Sequence, residues 1–106
     1  MATEILGSAD LSAGANATLY TCPVDTFTIA TVSIVNRGTT AIQVRLAVCA
    51  TSTPANDEYL EYEATILPSN VLERTGIAMQ AAKLLVVRSS STNVNAVAMG
   101  IETSAV

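Results

Sequence analysis

The chain has 106 residues, of which 50% are hydrophobic and 13% are charged, and its formal net charge is −4. It has no histidine, two cysteines and only five lysines and arginines, which excludes imidazole catalysis, a four-ligand zinc site and a nucleic-acid surface. No apolar run reaches the roughly 18 residues of a membrane-spanning helix, so we expect no membrane partner. We also expect no cofactor.

The cysteines and the first residues indicate a cytoplasmic origin. The start of the chain lacks the positive patch and apolar stretch of a secretory signal. Cys22 and Cys49 lie in apolar, strand-like stretches, where a free cysteine behaves as a small hydrophobic residue. One disulfide between them is the alternative, but disulfides are typical of exported proteins. We therefore predict two buried free thiols.

Valine, isoleucine and threonine make up 32 of the 106 positions, which favours strands over helices. In chain order, the first half of the sequence predicts a brief strand at residues 4–6 and a loop at 7–16. Two longer strands follow at 17–22 and 26–35, and a turn at 36–38. The next strand, residues 41–50, alternates strictly, with Ile42, Val44, Leu46 and Val48 on one face. Because a turn with Gly38 separates them, the strands at 26–35 and 41–50 are predicted to form a hairpin.

The second half continues in the same way. It predicts strands at residues 59–67, 71–74, 84–88 and 94–102. Residues 77–83 are interpreted as a loop with one helical turn, because seven residues are marginal for a helix. The last two strands are predicted to pair as a hairpin around residues 89–93. Residues 103–106 are expected to fray.

These segments amount to seven or eight short strands at intervals of about 8–12 residues, without intervening helices. That spacing predicts an all-β fold in one domain, residues 1–106. We expect an antiparallel β-sandwich, immunoglobulin-like or jelly-roll-like, with a small barrel as the alternative.

Five charged residues are candidates for an interface. Glu61 and Glu63 alternate with Tyr62 and are predicted to project from one face of a strand. That face would be solvated or face an interface, and the alternative is that the two carboxylates do acid–base work or hold a hard cation. Arg45 and Arg74 belong to a small set of four arginines, so each is expected to pair with Glu61, Glu63 or Glu73, within or between subunits. No catalytic or metal-binding set is predicted.

Two strands are apolar on both faces. In residues 94–102, Val97, Met99 and Ile101 alternate with alanines and a glycine, and residues 26–35 show a similar pattern. One face of each strand can enter the core. The other face requires a cover from outside, which indicates an oligomer or docking on a larger assembly.

Five segments in this order resemble small β-sandwich virion proteins of tailed bacteriophages, including cyanophages. They are LYTCP at 19–23, ATVSIVNRG at 30–38, VRLAV at 44–48, YLEY at 59–62 and LERTG at 72–76. The resemblance covers about residues 17–102 and rests on structural motifs, not on catalytic ones.

The resemblance implies a non-enzymatic virion component that is made in the host cytoplasm and present in many copies. The leading expectation is a capsid decoration or cement protein, often a homotrimer, bound to the major capsid protein on the outside of the head. A module of the tail, neck, baseplate or a fibre, bound to another virion protein, is the alternative. A small hydrolase or lyase that uses Glu61 and Glu63 is the third hypothesis.

Overall fold

The computed structural model describes residues 4–105 and contains eight strands. The strands are β1 (Ile5–Leu11), β2 (Ala17–Thr21), β3 (Thr26–Asn36), β4 (Ile42–Cys49), β5 (Tyr59–Ile66), β6 (Val71–Met79), β7 (Leu84–Ser89) and β8 (Val94–Ser104). Residues 1–3 and 106, which the predicted domain also includes, lie outside the described part. Across residues 4–105 there is no helix long and apolar enough to cross a membrane.

The strands form two antiparallel four-stranded sheets, as the predicted all-β sandwich requires. The first sheet has the order β1-β8-β3-β6, and the second has the order β2-β7-β4-β5. Consecutive strands therefore alternate between the sheets, except for β4 and β5, which are paired neighbours. Eight strands connected in this way give the jelly-roll form of the sandwich.

Both predicted hairpins are wrong. Strand β3 pairs with β6 and β8, and β4 pairs with β5 and β7, so the turn after Asn36 crosses from one sheet to the other. The last two strands, β7 and β8, also belong to different sheets. The alternation that identified these strands shows which residues face the core, and it carries no information about the neighbouring strand.

Three predicted boundaries also change. Strand β1 continues to Leu11 through residues expected to form a loop, because it pairs with β8 along that length. Strand β6 passes through residues 77–79, where a loop with a helical turn was expected, because Gly76 (φ 68°) absorbs an extra residue in a bulge. Residues 103 and 104 pair with β3 instead of fraying, whereas residue 106 lies outside the described part.

The core lies between the sheets and is built from the side chains of each strand that face the opposite sheet. Val32, Ile34, Val44 and Leu46 are fully buried there. A small second cluster of Ala47, Cys49 and Val86, covered by Tyr59 and Leu84, lies on the outer side of the second sheet. The predicted free thiols are confirmed, since Cys22 and Cys49 are both buried and unbridged.

A buried amide connects the two sheets at one end of β3. The Asn36 side chain is fully buried. Its Nδ2 donates to the carbonyls of Thr40 (2.8 Å) and Ile66 (3.0 Å), and its Oδ1 accepts from the Gly38 N–H at 2.9 Å. One side chain thus satisfies three backbone groups, two in the β3–β4 crossover and one at the end of β5.

A second polar contact joins the sheets at the other end of β3. The Tyr20 hydroxyl on β2 lies 2.5 Å from Glu102 Oε2 on β8 and 2.8 Å from Thr28 Oγ1 on β3. Burial, followed by the hydrogen bond to Glu102, raises the pKa of Tyr20. The tyrosine therefore stays protonated and acts as a neutral donor between the sheets.

The Asn36 amide predicts a large loss of stability in Asn36→Ala. The Ile66 carbonyl would be left buried without a partner, which costs about 1–3 kcal/mol, whereas the Gly38 and Thr40 groups are more accessible to water. We therefore expect the free energy of unfolding to fall by about 1–3 kcal/mol in urea denaturation. Asn95→Ala is the matched control, because Asn95 is half-buried on β8 and its side-chain amide makes no hydrogen bond within residues 4–105. Equal losses in the two variants would contradict the proposed role of Asn36.

Candidate functional site

Glu61 and Glu63 do not share a face, in contrast to the prediction. From Val44 to Leu46, the partners on β5 run from Ala64 to Glu61, so β5 carries one extra residue, and Glu63 has a φ of 52°. This bulge turns the two carboxylates to opposite sides of the second sheet. Glu61 lies opposite the buried Leu46, on the inner side, and Glu63 lies on the outer side.

Glu61 forms an ion pair across the open edge of the sandwich. Arg74 Nη1, on edge strand β6 of the first sheet, donates to Glu61 Oε2 at 2.7 Å and to the Leu60 carbonyl at 3.4 Å. Both side chains are partly exposed, so the pair contributes about 1 kcal/mol or less. Its structural effect is to connect the edge strands of the two sheets.

Glu63 pairs with Arg45 on the outer side of the second sheet. Arg45 Nη2 donates to Glu63 Oε1 at 2.9 Å, and its guanidinium carbon lies 4.5 Å from the centroid of the Tyr62 ring. Tyr62 meets Tyr59 edge to face at 4.9 Å. The hydrogen bond from Arg45 lowers the pKa of Glu63, and the charges of Arg45 and Arg88 lower it further.

The predicted pairing of Arg45 and Arg74 with glutamates is therefore confirmed within one chain. Glu73 is not part of either pair. It is exposed on the outer side of the first sheet, opposite Ser33, and forms no ion pair with any residue from 4 to 105. A role of these five residues in an interface between subunits stays a prediction.

Arg88 was not singled out from the sequence, although it lies directly opposite Arg45 in the β4–β7 pairing. The available signal was its outward position after Leu85 and Val87. The contact with Arg45 depends on the strand order, which alternation does not reveal. Within the described part of the chain, no carboxylate forms an ion pair with Arg88.

Two shallow depressions lie next to each other on this outer face, which we call the arginine–tyrosine face. The first has a volume of about 240 Å³ and is lined by Gly14, Gln43, Arg45, Glu63, Arg88 and Ser90. The second has a volume of about 320 Å³ and is lined by Asn56, Tyr59 and Tyr62. Arg45 connects them, because it lines the first and stacks on the tyrosine that lines the second.

The outer side of the first sheet has the opposite character. Ile29 is 47% exposed and lies in register between Ala78 and Ile101, which is 55% exposed. The outer apolar side chains predicted on β3 and β8 are thus accessible in the single chain. We call this surface the apolar face, and it consists of Ile5, Phe27, Ile29, Val35, Val71, Ala78, Val97, Met99 and Ile101.

Comparison with known proteins adds no relative. The chain matches no family model and no curated protein.

The ion pair between Arg45 and Glu63 predicts a pH-dependent contribution to stability. Because the pKa of Glu63 is lower in the folded than in the unfolded chain, its ionised form stabilises the fold above the ordinary glutamate pKa of about 4.3. This contribution is lost as the pH falls below that value and through the lowered pKa. We expect the difference in Tm between the wild type and Glu63→Gln to shrink from pH 7 to about pH 3 in thermal melts.

The control for this measurement is the Arg45→Met background, which removes the main cause of the pKa shift. There, Glu63→Gln should change the Tm by an amount that depends much less on pH. An unchanged pH dependence in that background would contradict the assignment to Arg45.

Proposed function

We propose that this protein is a non-enzymatic virion component of a tailed bacteriophage, a capsid decoration protein that binds the outside of the head through its apolar face. The observation that carries the proposal is the cluster of exposed apolar side chains on the outer side of the first sheet. Ile29 and Ile101 lie side by side and exposed on neighbouring strands, and exposed apolar surface of this kind is typical of protein–protein contact.

The position of the apolar face on central strands suits docking on another protein. Central strands β3 and β8 supply most of it, and each is paired with a strand on both sides over residues 28–35 of β3 and 94–99 of β8. A partner would therefore contact side chains on a stiff surface without unfolding an edge strand. Apolar burial of this kind is the main favourable contribution in most protein–protein association.

The arrangement of the carboxylates favours this proposal over the hydrolase or lyase hypothesis. That hypothesis requires Glu61 and Glu63 to act on one substrate. They lie on opposite sides of the second sheet, and each accepts a hydrogen bond from a different arginine. Glu61 and Glu63 therefore do not have the geometry of two carboxylates that face a common bond.

The proposal includes association into a homotrimer, which the resemblance to decoration proteins implies. Many copies, each burying a modest area on the shell, would together bind it tightly. Light scattering coupled to size-exclusion chromatography distinguishes a trimer from a monomer in solution.

The docking proposal predicts that Ile29→Asp prevents attachment to the head. A charge at the centre of the apolar face would be desolvated on binding, so we expect binding to purified heads that lack this protein to weaken at least about tenfold. Bound protein is measured by co-sedimentation, and thermal melting verifies that the variant is folded.

Thr18→Asp is the matched control, because Thr18 is exposed on the outer side of the second sheet and receives the same charge. It should bind heads like the wild type, and equal weakening in both variants would contradict docking through the apolar face.

The copy number per virion then separates a location on the head from one on the tail or neck. Hundreds of copies support the head, a few to a few dozen favour the tail or neck alternative, and absence from particles overturns the proposal.

A further inference from the structure

The arginine–tyrosine face has features that the docking proposal does not use. It lies on the outer side of the second sheet, whereas the apolar face lies on the outer side of the first. A protein docked through its apolar face would therefore present the arginine–tyrosine face to solvent. A ligand bound here would not compete with attachment through the apolar face.

The first depression carries more positive than negative charge. Arg45 and Arg88 lie opposite each other on neighbouring strands, and Glu63 is the one carboxylate that lines the depression. Like charges opposite each other destabilise a sheet. This local excess of positive charge occurs in a chain whose net charge is −4, so the pair favours an anionic ligand.

The guanidinium of Arg45 is only partly satisfied within the chain. Glu63 accepts from Nη2, whereas the buried Nε has no hydrogen-bond partner among the described residues. Arg88 has no carboxylate partner there. An arginine presents its donors as a planar fork that matches a carboxylate through two parallel hydrogen bonds, and the free fork here is that of Arg88.

The surroundings of the two arginines suit hydroxyl groups and a ring. Gln43 and Ser90 are exposed polar side chains at the first depression, and Asn56 lies at the second. Tyr62 is 59% exposed and provides an aromatic surface next to Arg45. The C–H groups on one side of a sugar ring are apolar and pack against such a surface, while its hydroxyls bond to amides and hydroxyls.

We propose that the arginine–tyrosine face binds an acidic saccharide, with a sugar carboxylate at Arg88 and a neighbouring sugar ring against Tyr62. The adjacent depressions, joined by Arg45, favour two linked sugar units over a single anion. An acidic peptide side chain would use the arginines alone and make no contact with the exposed Tyr62 ring or with Asn56.

The test is an NMR titration of the amide signals of the isolated chain with tri-galacturonate. The matched ligand is its methyl ester, which keeps the rings and removes the charges. We expect saturable shifts at residues 43–45, 62–63 and 88–90. The methyl ester should bind at least about tenfold more weakly, because charge-assisted hydrogen bonds are lost.

Two variants locate the contacts. Arg88→Gln and Tyr62→Ala should each weaken tri-galacturonate binding, by about tenfold for the arginine. Arg37→Gln is the matched control, because it removes the same charge from an exposed arginine that pairs with Asp10 on β1. It should bind like the wild type, and thermal melting verifies that all three variants are folded.

Three results would overturn the proposal: no saturable shift up to about 10 mM ligand, equal binding of the methyl ester, or full binding by Arg88→Gln. Tighter binding of a tri-glutamate peptide than of tri-galacturonate would also overturn it, in favour of an acidic protein segment. The titration uses no heads or virions, so its failure is distinguishable from failure of the docking proposal.

Discussion

The crossing of the chain from one sheet to the other at the end of β3 depends on one buried amide. Asn36 ends β3, and its side chain holds the crossover to β4 through Gly38 and Thr40 and the end of β5 through Ile66. A backbone that leaves one sheet for the other exposes groups that no strand neighbour can satisfy. Because one buried amide supplies both donors and the acceptor, the chain changes sheets without leaving these groups unpaired.

This crossover determines which surfaces the molecule presents. Since β3 passes to the opposite sheet instead of folding back, it lies in the middle of the first sheet, between β6 and β8, and β4 lies in the middle of the second. The outward side chains of β3 and β8 then form the apolar face, and those of β4 and β7 bring Arg45 beside Arg88. A β3–β4 hairpin would have placed Ile29 and Arg45 on the same sheet.

Sequence periodicity predicted the strands and the core but not the pairing. Val44 and Leu46 were correctly assigned to a buried face, because alternation depends only on the pleat of one strand. The partners of that strand depend on contacts between distant segments, so Arg88 could not be placed next to Arg45. The prediction that Glu61 and Glu63 share a face was wrong for a different reason. Their spacing implies a shared face only in a regular strand, and the left-handed backbone at Glu63 breaks that regularity.

The bulge at Glu63 also affects the side of the sandwich that is formed by the edge strands β5 and β6. Strand β5 is an edge strand, and a regular edge can pair with a strand of another chain. The bulge distorts that edge, and it also directs Glu61 across the sandwich to Arg74 on the edge strand β6. The side of the sandwich between β5 and β6 is thereby held by a charged pair, which disfavours strand addition there. At this side of the sandwich, outward side chains of the two faces are therefore better placed for contact with another molecule than the backbone of the edge strands.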